Sequence, residues 1–116
     1  MSDTLSLESI NEFLDNEKAD LLIHKKTEEY EEKLKKIENI KEKIEILEKR
    51  VGELDSEIEK KKQEFESLQG SENLADKIIA VRQYESLVEE HENVVSEALI
   101  YFLAIDVLIS KLKKLN

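Results

Sequence analysis

The sequence predicts an all-α protein, in which a long coiled-coil helix is followed by a break near Gly70 and a second long helix. Charged residues make up 40% of the 116 positions, and Glu, Lys, Leu and Ile dominate, as is typical of long helices. The chain has no proline and two glycines, so few positions would end a helix cheaply. Apolar residues also recur every seven positions, which is the repeat of a coiled coil.

The first segment, residues 1–16, is predicted to be a short N-terminal helix or docking segment that ends near "DNEKAD". Ser9 followed by Glu12 predicts a capping box at its start. No basic segment precedes the apolar residues, so a secretory or transit signal is not expected. Four apolar residues have helical spacing but lie out of phase with the heptads that follow: Leu7, Ile10, Phe13 and Leu14.

The second segment, residues 17–69, carries an unbroken heptad series that predicts a coiled-coil helix. Its d positions are apolar in the centre but include Lys26, Lys33 and Lys61. β-branched residues at position a with leucine at d favour two parallel strands. The a positions are Ile23, Tyr30, Ile37, Ile44, Val51, Ile58 and Phe65.

The charges beside this series also fit a parallel, in-register pair of chains. Position g of one strand would meet the following e of its partner, which gives three opposite-charge pairs: Lys43 with Glu48, Arg50 with Asp55 and Glu57 with Lys62. Lys36 would meet Lys41, a pair of like charges that goes against this register. Such exposed pairs select register and partner more than they add stability. Antiparallel pairing remains open because the polar d residues weaken the N-terminal end of the seam.

The helix break is predicted at residues 70–71. Gly70 suits the left-handed residue that ends a helix, and Ser71 suits the cap of the next one. The C-terminal segment, residues 72–116, has its own heptad series, offset by two from the first, so the two cannot form one smooth seam. An antiparallel hairpin and a kinked rod that docks into a bundle of other chains are both compatible with this offset. The second series is Leu74, Val81, Val88, Val95, Phe102 and Ile109.

The C-terminal helix has an apolar face too broad for one neighbour, because apolar residues also fill position g and reach Leu99 at e. A bundle of at least two further helices is therefore predicted. A membrane span needs about 20 apolar residues, whereas Glu97 and Asp106 bracket a run of eight, so no transmembrane segment is expected. The lysines from Lys111 to Lys114 suit a helix C-terminus, and a helix lying on a bilayer surface is the alternative.

The predicted partner interface combines the two seams. It consists of Ile37, Ile40, Ile44, Leu47, Val51, Leu54, Ile58, Phe65, Leu68, Val88, Val95, Leu99, Phe102, Ile105 and Ile109.

No pattern in the sequence predicts catalysis, a metal or a cofactor. His24 and His91 are far apart, and Leu21 and Val88 stand where the glutamate of a Glu-x-x-His pair would be. His91 lies at a d position, where we expect a partly buried imidazole bonded to a neighbouring acid; a pH-sensitive interface is the functional alternative. A net charge of -10 argues against nucleic acid as a partner. The absence of cysteine fits a cytoplasmic protein.

Residues 83–103, "QYESLVEEHENVVSEALIYFL", resemble the start of the steadiness box in the core subunit of ESCRT-I, the tumour-susceptibility vacuolar-sorting family. That resemblance implies a coiled coil leading into a helical hairpin, in a stalk subunit that pairs with other sorting proteins. Its residues are Tyr84, Leu87, Val88, Glu89, Glu97, Ile100, Tyr101 and Leu103.

The expected function is that of a non-enzymatic structural or adaptor subunit in a multi-subunit coiled-coil complex, with the resemblance pointing to endosomal sorting or membrane trafficking. Its partners would be proteins, in a homo- or hetero-oligomer, with at most indirect membrane contact. Two alternatives are a prefoldin-like helical chaperone subunit, which needs a β-hairpin between its helices, and a peripheral membrane-binding helix protein.

Overall fold

The computed structural model describes residues 5–23 and 28–115, with side chains described outside residues 20–23. Within these ranges the chain forms three helices and no strand: α1 is Leu7–Ile23, α2 is Glu28–Ser67 and α3 is Leu74–Leu115. The all-α prediction is therefore confirmed. The heptad positions Ile23 and Lys26 and the histidine His24 lie outside the described side chains.

Helix α1 begins one turn earlier than the sequence predicts. The Ser9 backbone N–H donates to Ser6 Oγ at 3.2 Å, and the Ser6 N–H donates to Ser9 Oγ at 2.9 Å. This reciprocal pair is a capping box built from two serines, so the predicted Ser9 and Glu12 box is wrong. The helix continues to Ile23, and residues 17–23 therefore belong to α1 and not to the coiled-coil helix.

Helix α2 ends at Ser67 without a left-handed residue. The Ser71 N–H donates to the Leu68 carbonyl at 2.9 Å, which closes a tight turn over residues 68–71. Gly70 does not have a positive φ angle. In a type I turn both central residues have negative φ angles, which any residue can adopt. The role predicted for Gly70 is therefore wrong, although the break lies where it was expected.

Helix α3 is capped by Asn73. Its Oδ1 accepts a hydrogen bond from the Asp76 N–H at 3.3 Å, and its carbonyl accepts from the Lys77 N–H at 3.4 Å. Both bonds are those expected of an N-cap residue. Ser71, the predicted cap, lies two residues too early and instead accepts from the Asn73 N–H at 3.1 Å.

The chain divides into two compact units, and the first comprises Met1–Ile46 and Ala98–Asn116. Its core draws residues from all three helices, so within this unit α1 completes a three-helix bundle. Side chains spaced by three or four residues share one face of a helix, which explains why the core positions recur at those intervals. The core consists of Ile10, Leu14, Tyr30, Leu34, Ile37, Ile44, Ile105, Ile109 and Leu112.

An ion pair between Lys18 of α1 and Glu38 of α2 also joins helices in the first unit. The hydrogen bond that Lys18 donates to Glu38 raises the pKa of the lysine above its ordinary value, and the attraction between the two charges adds to the shift. Because the pair is largely solvated, it orients α1 more than it stabilises the unit.

The second unit, Leu47–Glu97, pairs the rest of α2 with the first half of α3. Arg50 of α2 contacts Glu90 of α3, and Lys77 near the start of α3 donates to the Gln69 carbonyl. As the residue number rises from Arg50 to Gln69, the number of the contacting residue falls from Glu90 to Lys77. The two helices therefore run antiparallel. Of the two arrangements that the sequence left open, the chain adopts the hairpin. Only Leu54 and Ala80 of this unit are buried apolar residues among those described.

Candidate interaction surface

Most of the predicted partner interface is occupied by the chain itself. Ile37, Ile44, Ile105 and Ile109 belong to one buried cluster of the first unit, and Ile40 and Phe102 pack against it. Leu54 is buried, and Leu47, Val51, Ile58, Phe65, Leu68, Val88 and Val95 are half-buried. The seam that the sequence offers to a partner is therefore covered largely by the chain's own helices.

Leu99 is the exception, and it belongs to a continuous apolar face that solvent reaches. We call this surface the outer face of α3. The spacing of its members places them on one side of the helix, and each is between 51% and 66% exposed. The outer face consists of Leu99, Ile100, Leu103 and Val107.

Three residues of the outer face, Ile100, Leu103 and Val107, are absent from the predicted interface. They occupy positions b and f of the second heptad series, which are ordinarily solvated. The composition of this segment could have identified them, because the run between Glu97 and Asp106 is apolar on every side of the helix. Such a helix must bury residues beyond its a and d positions or leave them in water.

An open groove borders the outer face in the first unit. Its volume is about 480 Å³, and its lining includes Leu5 from the segment before α1 together with Phe102 and Asp106. Two residues of the outer face, Leu99 and Leu103, complete the lining. The outer face thus forms a ridge and also one wall of the groove beside it. Side chains of another helix can pack into such a groove.

The opposite side of α3 is engaged inside the first unit. The Lys43 Nζ lies 5.6 Å from the centre of the Tyr101 ring, within the range of a cation–π contact. Ile105 and Leu112 are buried in the core. Helix α3 therefore has one face committed to its own chain and another that is not.

The polar contacts of the second unit lie between α2 and α3. Arg50 donates from Nη2 to both carboxylate oxygens of Glu90, at 3.0 and 2.9 Å. The hydrogen bond from Arg50 to Glu90 is the largest cause that raises the pKa of the guanidinium. His91 Nε2 lies 2.9 Å from Asp55 Oδ1, with the imidazole partly exposed, so the prediction for His91 is confirmed. These contacts fix register and orientation, and exposed pairs of this kind add little stability.

Among the described side chains, those of residues 5–19 and 28–115, no three His, Asp or Glu residues gather in a way that would hold a metal ion.

Helix α3 is long and apolar enough, by length and composition alone, to cross a membrane. One window of 18 residues has a mean hydropathy of 1.7, and 11% of it is buried inside the molecule. The expectation based on the run of eight residues underestimated this apolar character. A single helix of this kind is weak evidence for a span, because the core helices of soluble proteins, which are mostly buried, pass the same test.

The fold and the surface together define a helical hairpin protein whose second long helix presents an apolar face to solvent. Comparison with known proteins adds nothing to this description: no family model matches the chain, and neither a curated protein nor a solved structure matches it significantly.

Proposed function

We propose that this protein is a non-enzymatic structural subunit of a multi-chain helical complex, which it joins through the outer face of α3. The observation that carries the proposal is the exposure of Leu99, Ile100, Leu103 and Val107. Contiguous apolar patches on soluble proteins commonly mark interaction sites. A structural role also agrees with the sequence, whose clearest patterns are heptad repeats and not arrangements of catalytic residues.

A protein partner explains the outer face better than a lipid bilayer does. Asp106 lines the groove beside Leu103, and Glu97 lies just before Ala98 in the sequence. A carboxylate at the centre of a bilayer costs about 2.5–3.5 kcal/mol, whereas a protein partner can place a cation or water beside it. The lysines after Val107 suit the negative end of the helix dipole without lipid.

The proposal extends to endosomal sorting or membrane trafficking, in the cytoplasm. Its support is the resemblance of residues 83–103 to the steadiness box, because Ile100 and Leu103 belong both to that resemblance and to the outer face. A prefoldin-like chaperone is less favoured, since the residues between α2 and α3 form a tight turn where that class needs a β-hairpin.

The test is affinity purification of the tagged chain from its native cells, followed by mass spectrometry. We expect a stoichiometric partner with the native chain and its loss with Leu103→Asp. Ile46→Asp is the matched control, since Ile46 on α2 is 69% exposed and Leu103 is 66% exposed. Circular dichroism should show that both variants remain helical.

Two results would contradict the proposal. One is the absence of any stoichiometric partner, whether another protein or a second copy of the chain. The other is equal loss of the partner in the two variants, which would mean that a general increase in surface charge, and not the outer face, controls association.

A further inference from the structure

We infer that the partner bound at the outer face of α3 is a second copy of this chain, packed antiparallel with Leu103 near the twofold axis. The inference rests on the proposed function, because it names the partner at the same surface. Its support is the arrangement of apolar, small and charged residues along α3, which is complementary to itself only when one copy is reversed.

Three of the four apolar residues of the outer face match under this reversal, whereas Ile100 falls opposite Asp106 of the second copy, at the flank of the contact. A twofold axis at Leu103 places Leu103 against its own counterpart and Leu99 against Val107 of the second copy. Ser96 and Ser110, both exposed, then lie opposite each other beyond the apolar centre. Small residues at both edges would let the two helices approach closely, because interaxial distance depends on the side chains at the contact.

The charges at the two ends match as well. Glu92 precedes Leu103 by the same number of residues as Lys114 follows it. At about 100° per residue this spacing amounts to three turns and roughly 20°, so all three lie on one side of α3. The antiparallel arrangement places Glu92 opposite Lys114 of the second copy, and symmetry repeats the pair at the other end.

Glu92 and Lys114 are both available for such pairs. Each is exposed, and neither forms an ion pair with another described residue. A parallel dimer would bring each glutamate against its own counterpart, and likewise each lysine, which electrostatic repulsion disfavours. The charge pattern therefore selects both the partner and its direction.

The size of the surface sets the expected strength of the dimer. Four partly exposed side chains per copy provide much less than the roughly 800 Å² per partner of a standard interface. Two pairs of opposite charge at the rim favour encounter and orientation more than affinity. We therefore expect a reversible dimer with a dissociation constant on the order of micromolar, more stable at low salt.

Sedimentation equilibrium of the full chain over a wide concentration range tests association, and cysteine crosslinking tests its geometry. The native chain contains no cysteine. Leu103→Cys should form a disulfide-linked dimer rapidly on mild oxidation, because residues at a twofold axis face their own copies within bridging distance. Ile46→Cys, which is equally exposed but lies on α2, should crosslink much more slowly.

Charge reversal tests the direction of packing. Glu92→Lys and Lys114→Glu should each weaken the dimer about tenfold or more, since each replaces two attractions by two repulsions. The double variant restores opposite charges at both ends and should recover most of the native affinity. All of these positions are exposed, so the variants should keep native helicity by circular dichroism.

The inference is overturned if the native chain stays monomeric at high concentration, if the Leu103→Cys variant crosslinks no faster than the Ile46→Cys variant, or if the double charge variant does not recover. A monomer that still co-purifies with a different protein through Leu103 overturns this inference and leaves the proposed function standing. A monomer with no protein partner that binds vesicles of phosphatidylcholine and phosphatidylserine overturns both.

Discussion

Two isoleucines of α2, Ile44 and Ile46, form a matched pair for measuring how much the hairpin core contributes to stability. They lie two residues apart on the same helix, but Ile44 is fully buried and Ile46 is 69% exposed. Substitution by alanine removes the same three carbon atoms at both sites and changes helix propensity equally. The difference between the two variants therefore isolates burial.

For Ile44→Ala we expect a loss of about 3 kcal/mol in the free energy of unfolding. Three buried carbons at about 0.8 kcal/mol each give roughly 2.4 kcal/mol, and the cavity that remains adds to this, within the usual range of about 2–5 kcal/mol. Ile46→Ala should change stability by less than about 0.5 kcal/mol, since little apolar surface is uncovered and alanine is the better helix former.

Urea denaturation followed by circular dichroism measures both values. With a slope of about 1–3 kcal/mol per molar urea for a small protein, the loss in Ile44→Ala lowers the midpoint by at least about 1 M, while Ile46→Ala should overlay the native curve. Equal effects at the two sites, or a loss below about 1 kcal/mol for Ile44→Ala, would refute the conclusion that α2 buries its seam against its own chain.

Three further outcomes follow from the caps, the turn and the α1 ion pair. Asn73→Ala should cost about 1 kcal/mol in urea denaturation and Ser71→Ala clearly less, whereas the reverse order would restore Ser71 as the cap. Gly70→Ala should be neutral or stabilise by up to about 1 kcal/mol in the same assay, because its φ is not positive and a Cβ there meets no atom within 4 Å; a large loss would contradict the turn. Folding raises the pKa of Lys18 above 10.5. The contribution of the charged lysine to the free energy of unfolding is therefore fully present below pH 10.5 and is lost as the pH rises through the pKa of the folded state. The difference in urea midpoint between the native chain and Lys18→Met should therefore close at strongly alkaline pH, and a constant difference would exclude the Glu38 pair as its source.

The heptad repeats predicted the helices and the buried seam because both depend on local periodicity. Ile37, Ile44 and Leu54 lie at a and d positions, and each is buried. The helix that packs on these residues could not be predicted from periodicity. A stripe of apolar residues determines what kind of surface packs on it, but not whether that surface belongs to the same chain or to another. The reversal at residues 68–73 brings the chain's own α3 to that seam.

The errors of sequence interpretation lie at helix ends and on the outer face. Several polar residues near each helix end can cap it, and the choice between Ser71 and Asn73 depends on where the turn closes. Leu103 and Val107 were missed because their burial depends on the neighbours of α3 and not on their heptad positions. Helix assignments commonly differ by one or two residues at each end, but residues 17–23 were misassigned because the heptad series was counted from Ile23, which is the last residue of α1.

The antiparallel hairpin also has a consequence for the order in which the chain folds. Gln69 and Lys77 are 8 residues apart in sequence, whereas Arg50 and Glu90 are 40 apart. Loop closure makes the more distant contact costlier by about 1.4 kcal/mol if it forms first. Contacts between α2 and α3 should therefore form first near the turn and then at positions farther from it, although the turn lies in the unit with few buried residues. Ile37 and Ile105, which share the best-buried cluster, would meet only late, so the most stable packing would be among the last to form.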